Sequence, residues 1–274
     1  MTLILNPLPA KGTTLMGQVN WRGLWNLYVR ETRRFLTIPA QSLLAPLAST
    51  LLFYHVFNIA LEREGTTILN VDFNDFLIPG LIMMAIMQNA FANASFSLVI
   101  AKVQGSIVDS IMPPLTPFEL AVGYSLGGVS RGIAVGGVTL LGMMPFFPHV
   151  SFALPAYILF YGLSAAFMLA TIGVICGVLA YKFDHLAALT NFVVTPMTFL
   201  SGTFYVIEQF PPAIHQLMSY NPCFHLIDGF RYGFISHADG MPFSLAVILS
   251  ITLINIGLLL VAWLLIKKGV GLTQ

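Results

Sequence analysis

The chain has 274 residues, of which 57% are hydrophobic and 8% charged, with a formal net charge of +1. Soluble domains carry about 25% charged residues, so this composition and a mean hydropathy of +0.84 exclude a water-soluble domain and predict a polytopic membrane protein with one membrane domain. Near-neutrality points to neither nucleic acid nor an acidic substrate, and the two cysteines, Cys176 in an apolar span and Cys223 in a late loop, predict free thiols with no redox or zinc role.

Residues 1–20 form a tail; Met1 to Lys11 lacks a basic start, an apolar run and a small-residue cleavage site, so no cleaved signal peptide is expected. Residues 21–36 put Trp21, Leu24, Trp25, Tyr28 and Phe35 on one helical stripe, with Arg22, Asn26, Arg30, Arg33 and Arg34 mostly opposite, which predicts an amphipathic helix lying at the membrane interface. Crossings of about 20 residues are then expected at 38–60, 75–100, 117–145, 153–180, 186–205 and 242–266. Asn74 is the expected cap of the second. Thr116-Pro-Phe-Glu119 reads as a capping box with Pro at the first helical position of the third. Lys267-Lys268-Gly269 ends the sixth with cations on the negative helix end.

Between the second and third spans, a short helix over Gln104 to Met112 would show Ile107, Val108, Ile111 and Met112 on one side and Ser106, Asp109 and Ser110 on the other, before Pro113-Pro114 stops it. Such a knob reads as a docking element for a soluble partner, or as a surface helix. In the third span Gly128, Gly132 and Gly136 recur every four residues beside Gly123 and Gly127, the pattern that lets helices approach closely in lipid. Arg131 within this run must face protein or water; Glu119, about 18 Å away by helical rise, is out of its reach. A hydrogen-bond clamp on carbonyls of neighbouring helices is the role expected of Arg131.

The second span carries Gln88, Asn89, Asn93, Ser95 and Ser97, with Asn89 and Asn93 on one face. The fifth carries Asn191, Thr195, Thr198 and Ser201 with a kink at Pro196. These faces read either as a translocation path or as ordinary interhelical hydrogen bonding. From Thr195 to Gly233 the chain is Pro-punctuated and half-apolar, and Asp228 and Arg231 are spaced as an i,i+3 pair capping a short helix. Counting Lys and Arg, ten of twelve fall toward one side, Arg131 being discounted as intramembrane, and only Arg63 and Arg231 toward the other, which predicts cytoplasmic termini.

Enzymatic constellations are mostly missing. There is no Gly-x-x-x-x-Gly-Lys-Ser/Thr phosphate loop, so ATP hydrolysis by that route is excluded for this chain alone. Leu200-Ser-Gly202 is a fragment of an intramembrane serine-protease loop without its preceding Gly, and a membrane enzyme would need clustered titratable groups where only Arg131 lies at depth.

The run Gly105-Ser-Ile-Val-Asp-Ser-Ile-Met-Pro-Pro-Leu-Thr-Pro-Phe-Glu-Leu120, then Gly-Tyr-Ser-Leu-Gly-Gly-Val-Ser-Arg-Gly132, and the late Leu200-Ser-Gly-Thr-Phe204, Asn221-Pro222 and Asp228-Gly-Phe-Arg-Tyr-Gly233 resemble ABC-2 type transporter permeases, in the YadH-like and NodJ-like branch. The resemblance runs from about Trp21 to Lys268. It implies an all-α, type V exporter-like fold of six transmembrane helices over 37–268, in a bacterial inner membrane. It also implies a homodimer working with two copies of a separate ATPase subunit that binds ATP and Mg, and no catalytic site or cofactor in this chain. ATPase docking falls on a coupling helix at Gln104, Ile107, Val108, Asp109, Ile111 and Met112, and on Arg30, Arg33 and Arg34 of the interface helix. The segment 206–236 would dip into the outer leaflet as two re-entrant helices, about Pro211 to Ser219 and Phe224 to Ile235. The cargo is amphipathic (a lipid, lipid-linked glycan or drug-like molecule), and a non-transporting anchor that recruits an ATPase is the alternative.

Overall fold

The computed structural model describes residues 19–61, 67–68, 71–107, 115–147, 152–204, 220–235 and 244–271. Most of the N-terminal tail, Val108 to Met112 of the expected coupling helix, and the expected re-entrant helix at Pro211 to Ser219 lie outside these residues. Helix α1 (Trp21–Leu36) passes through a π-helical turn, Ala40–Leu44, into α2 (Ala45–Leu61). Ser42 secures the turn by donating from Oγ to the carbonyls of Phe35 (2.7 Å) and Ile38 (2.8 Å). A two-residue antiparallel hairpin, β1 (Thr67–Ile68) with β2 (Val71–Asp72), then leads into α3 (Phe73–Val103). After it come α4 (Pro117–Met143), a 3-10 turn (Met144–Phe146) and α5 (Pro155–Leu179). The remainder is α6 (Phe183–Leu189), a π turn (Thr190–Val194), α7 (Thr195–Phe199), α8 (Pro222–Phe234) and α9 (Leu245–Lys267).

Among the described residues, five helical stretches are long and apolar enough to cross a membrane: Ala40–Ala60, Phe73–Val103, Pro117–Phe146, Pro155–Leu179 and Leu245–Lys267. The span expected at 186–205 with a kink at Pro196 is more deeply broken. Pro196 has no N–H to return to the preceding turn, which widens so that Thr195 N donates to Thr190 O. The helix stops at Leu200, and Gly202, at φ +77°, turns the chain away. Helix α8, at 13 residues, is about 20 Å long, too short for a hydrocarbon core of about 30 Å.

Helix α3 is the centre of the fold, enclosed chiefly by α4, α5, α8 and α2, and so is buried along most of its length. Small residues set the spacing. A Cβ on Gly128 would lie 2.8 Å from the Ala90 carbonyl, one on Gly132 2.9 Å from the Ile86 carbonyl, and one on Gly136 2.5 Å from the Ile86 side chain. On α5, Gly173 meets the Phe91 carbonyl in the same way at 2.6 Å. Dispersion between closely approached backbones replaces the hydrophobic drive that is missing in lipid. Helices α2 and α9 bury little, which leaves their apolar sides outward.

The expected cap of the second span is not made. Helix α3 starts one residue before Asn74, with Asp72 at its cap position, and Asn74 instead accepts from Asn58 Nδ2 (2.7 Å), joining α2 to α3. The cap competes with a tertiary partner and loses.

Candidate functional site

The capping box at the start of α4 is complete. Thr116 Oγ1 accepts from Glu119 N (3.3 Å), and Glu119 Oε2 accepts from Thr116 N (2.6 Å). The other carboxylate oxygen accepts from Asn20 N (2.6 Å), and Asn20 is itself the N-cap of α1, its Oδ1 accepting from Gly23 N (2.9 Å). One carboxylate therefore fastens two helix starts, each the positive end of a dipole. From there α1 runs alongside α4 in the same sense: Leu24 and Leu27 seat against Gly123, Glu31 against Gly127, and Ser130 Oγ donates to Tyr28 OH (2.9 Å). The face that α1 turns to the protein is thus Leu27, Glu31 and Phe35. Trp21 and Trp25, 71% and 62% exposed, form its outer flank.

Glu31 is the residue that the sequence reading missed. It is 2% exposed, and its carboxylate accepts from Ser97 Oγ of α3 (2.6 Å) and Arg30 Nη2 (3.3 Å) and forms an ion pair with Arg34 Nη2 (3.2 Å). Arg30 also donates to Tyr124 OH (3.1 Å), and Arg34 to the carbonyl (2.8 Å) and Oδ1 (3.1 Å) of Asn93. Two of the three arginines assigned to docking are therefore engaged inside the chain, while Arg33 is exposed. The signal available in the sequence was an acid on the Leu27–Phe35 face of a helix otherwise rich in arginine.

Arg131 does not make the backbone clamp expected of it. Its Nε is buried without a hydrogen-bond partner among the described residues, and the charge acting on it is that of Arg34, of like sign. The contact of Gly128 and Gly132 with α3 is too close to admit a guanidinium between the backbones, so Arg131 lies beside α1 instead.

The clamp is made by Arg231 of α8. It is buried, and donates from Nε to the Phe76 carbonyl (3.0 Å) and from Nη2 to the Gly202 carbonyl (2.9 Å), with its guanidinium 3.7 Å from the Phe76 ring centroid. The expected pair with Asp228 exists only at 4.0 Å. Asn221 caps α8, its Oδ1 accepting from Cys223 N (3.0 Å) with Pro222 at the first position, and its Nδ2 donates to Ser201 Oγ (3.1 Å). Ser201 Oγ in turn donates to the Met197 carbonyl. The α7–α8 junction is thereby tied to α3.

The two polar faces proposed for a path meet at one point only. Gln88 Nε2 donates to Thr198 Oγ1 (3.2 Å), and Thr198 donates to the Thr195 carbonyl (2.9 Å). Asn191 is exposed, Asn89 donates to the Ala85 carbonyl (3.0 Å) of its own helix, and Asn93 faces α1 and α4. At the end of α3, Lys102 Nζ donates to the carbonyls of Gly177 (2.8 Å), Val178 (2.5 Å) and Ala180 (3.1 Å), closing the C-terminus of α5. Gln104 follows as the α3 C-cap, Gly105 turns at φ +71°, and Ile107 packs against the core.

The profile of the family described as ABC-2 type transporter matches residues 22–235. Over 260 residues the chain is 32% identical to the inner membrane transport permease YadH of Escherichia coli K12, covering 94% of this chain and 99% of that protein. It is 25% identical over 221 residues to nodulation protein J of Rhizobium leguminosarum bv. viciae (78% of this chain, 82% of that protein). Nodulation protein J of Neorhizobium galegae is 23% identical over 226 residues (81% and 83%). The family match takes in the Glu31 network, Arg131 and the Arg231 clamp.

Proposed function

The chain belongs to the ABC-2 type transporter family, and from that premise we propose that it is the membrane permease subunit of an exporter driven by ATP hydrolysis on a separate subunit. ABC-2 permeases generally work with an ATPase. In this reading two copies of the chain pair in a bacterial inner membrane with both termini cytoplasmic, and two ATPases bind ATP and Mg beneath them. The broken helix α6–α7 serves as the fifth crossing, α8 as a re-entrant element in the outer leaflet, and the segment Gln104 to Met112 with α1 as the docking surface.

The observation that carries this reading is the Glu119 bridge. It makes the start of α1 and the start of α4 one unit, so a push on α1 is delivered to the glycine-packed core of α4 against α3. The cargo is amphipathic, a lipid, lipid-linked glycan or drug-like molecule, and passes Gln88, Thr198 and Ser201. Co-purification with the ATPase expressed alongside tests the assembly: a stable complex is expected, and two subunits that separate in lipid would sink the reading. One observation favours a non-transporting anchor instead, namely that Asn89 and Asn93 turn away from Thr198. Retained complex formation with no cargo movement would select the anchor.

A further inference from the structure

Two N–H donors of side chains in the interior have no acceptor among the described residues: Nδ2 of Asn93, a side chain 1% exposed, and Nε of Arg131. They share a neighbour, since Arg34 donates to Asn93 and its charge acts on Arg131. They also share a helix face. A Cβ on Gly127, one turn before Arg131 on α4, would lie 3.6 Å from Asn93 Nδ2. The groups gathered here are donors: the guanidinium groups of Arg30, Arg34 and Arg131 and the Asn93 amide. The acid among them, Glu31, is already shared by Ser97, Arg30 and Arg34, which leaves Arg131 without a counter-charge among the described residues. A cation within a span costs at least about 2.5 kcal/mol on insertion scales unless it is paired or hydrated. Guanidinium forks favour one kind of ligand, an oxyanion with several acceptor oxygens.

We infer that the junction of α1, α3 and α4 binds a phosphoryl oxyanion, with Arg34 and Arg131 at its entrance and Asn93 at its floor, and that the oxyanion is the headgroup of an anionic phospholipid. Arg34 and Arg131 are partly exposed, which gives access. Depth selects the lipid. Helix α3 is about 46 Å long against a hydrocarbon core of about 30 Å, and Asn93 lies about 15 Å from its Val103 end. That is several ångströms inside the hydrocarbon boundary, where a headgroup can be drawn in by arginine but a free ion must leave water. Trp21 and Trp25, exposed on the outer flank of α1, are the side chains that settle at such a boundary. The inference stands without the transport reading.

The test is binding to the full-length chain in micelles, followed by native mass spectrometry and melting temperature, with three probes: phosphatidylglycerol, phosphate-free diacylglycerol and inorganic phosphate. Phosphatidylglycerol is expected to bind saturably and about tenfold or more tighter than diacylglycerol. Arg131→Gln should lose about tenfold in that affinity while melting no lower than wild type without lipid, because it removes an unpaired charge. Arg22→Gln, on the exposed side of α1, should bind as wild type does. Equal phosphatidylglycerol affinity in wild type and Arg131→Gln overturns the site. A melting shift given by inorganic phosphate alone and lost in Arg131→Gln overturns the lipid as its source. If Arg131→Gln fails to fold, Arg131→Lys, which keeps the charge but loses the fork, must still bind more weakly, and unchanged affinity there overturns the site as well.

Discussion

Replacing Arg231 by Ala removes two charge-assisted hydrogen bonds, to the carbonyls of Phe76 and Gly202, and a cation–π contact with Phe76. Bonds to a charged group contribute about 1.5–3 kcal/mol each in soluble proteins, but side-chain bonds inside membrane proteins average about 0.6 and reach about 1.7 kcal/mol. Taking the upper membrane value for both and adding about 0.5 kcal/mol for the ring contact puts the loss on the order of 3–4 kcal/mol. At about 2–4 °C per kcal/mol, purified Arg231→Ala should melt roughly 6–15 °C below wild type. Asp228→Asn weakens a 4.0 Å pair whose acid is 31% exposed, and should change stability by less than about 1 kcal/mol. Thermal unfolding in micelles, followed by tryptophan fluorescence, measures both. Equal losses in the two variants would mean that the ion pair, not the carbonyl clamp, holds α8, and Arg231→Ala melting within about 2 °C of wild type would refute the clamp altogether.

Glu31→Gln leaves Arg30 and Arg34 without their shared carboxylate and should cost about 3 kcal/mol, the scale for breaking a buried pair; unfolding of Glu31→Gln with Arg34→Gln should recover part of the loss. Gly128→Val meets the Ala90 carbonyl and should destabilise by about 1–3 kcal/mol, whereas Gly137→Ala, with open space around it, should be neutral in the same melting assay. Lys102→Met frees three carbonyls at the end of α5, and hydrogen exchange of residues 176–180 should rise while that of α4 stays as in wild type.

What could be read from the sequence was local or periodic. The capping box at Thr116 and Glu119 needs only residues three apart, and the glycine spacing of α4 names a face without naming what it meets. Which buried arginine would become a clamp depended on tertiary placement: Arg231 reaches the Phe76 carbonyl, 155 residues away in sequence, only because α8 seats on α3. Arg131 has the more conspicuous position, yet the close contact of its own helix with α3 leaves its Nε no acceptor among the described residues. Glu31 was hidden by the arginines around it, which read as a solvated face until α1 was seen to run along α4. The kink at Pro196 was legible in the fifth span, whereas hydropathy does not register that the helix stops at Leu200 and turns away at Gly202.

ATP turnover by the partner ATPase, measured in lipid bilayers with and without this chain, tests the coupling directly. Turnover should depend on the wild-type chain and lose that dependence with Ile107→Glu and Asp109→Arg, while the complex still forms. Turnover indifferent to the chain, or unchanged by those substitutions, would contradict that coupling.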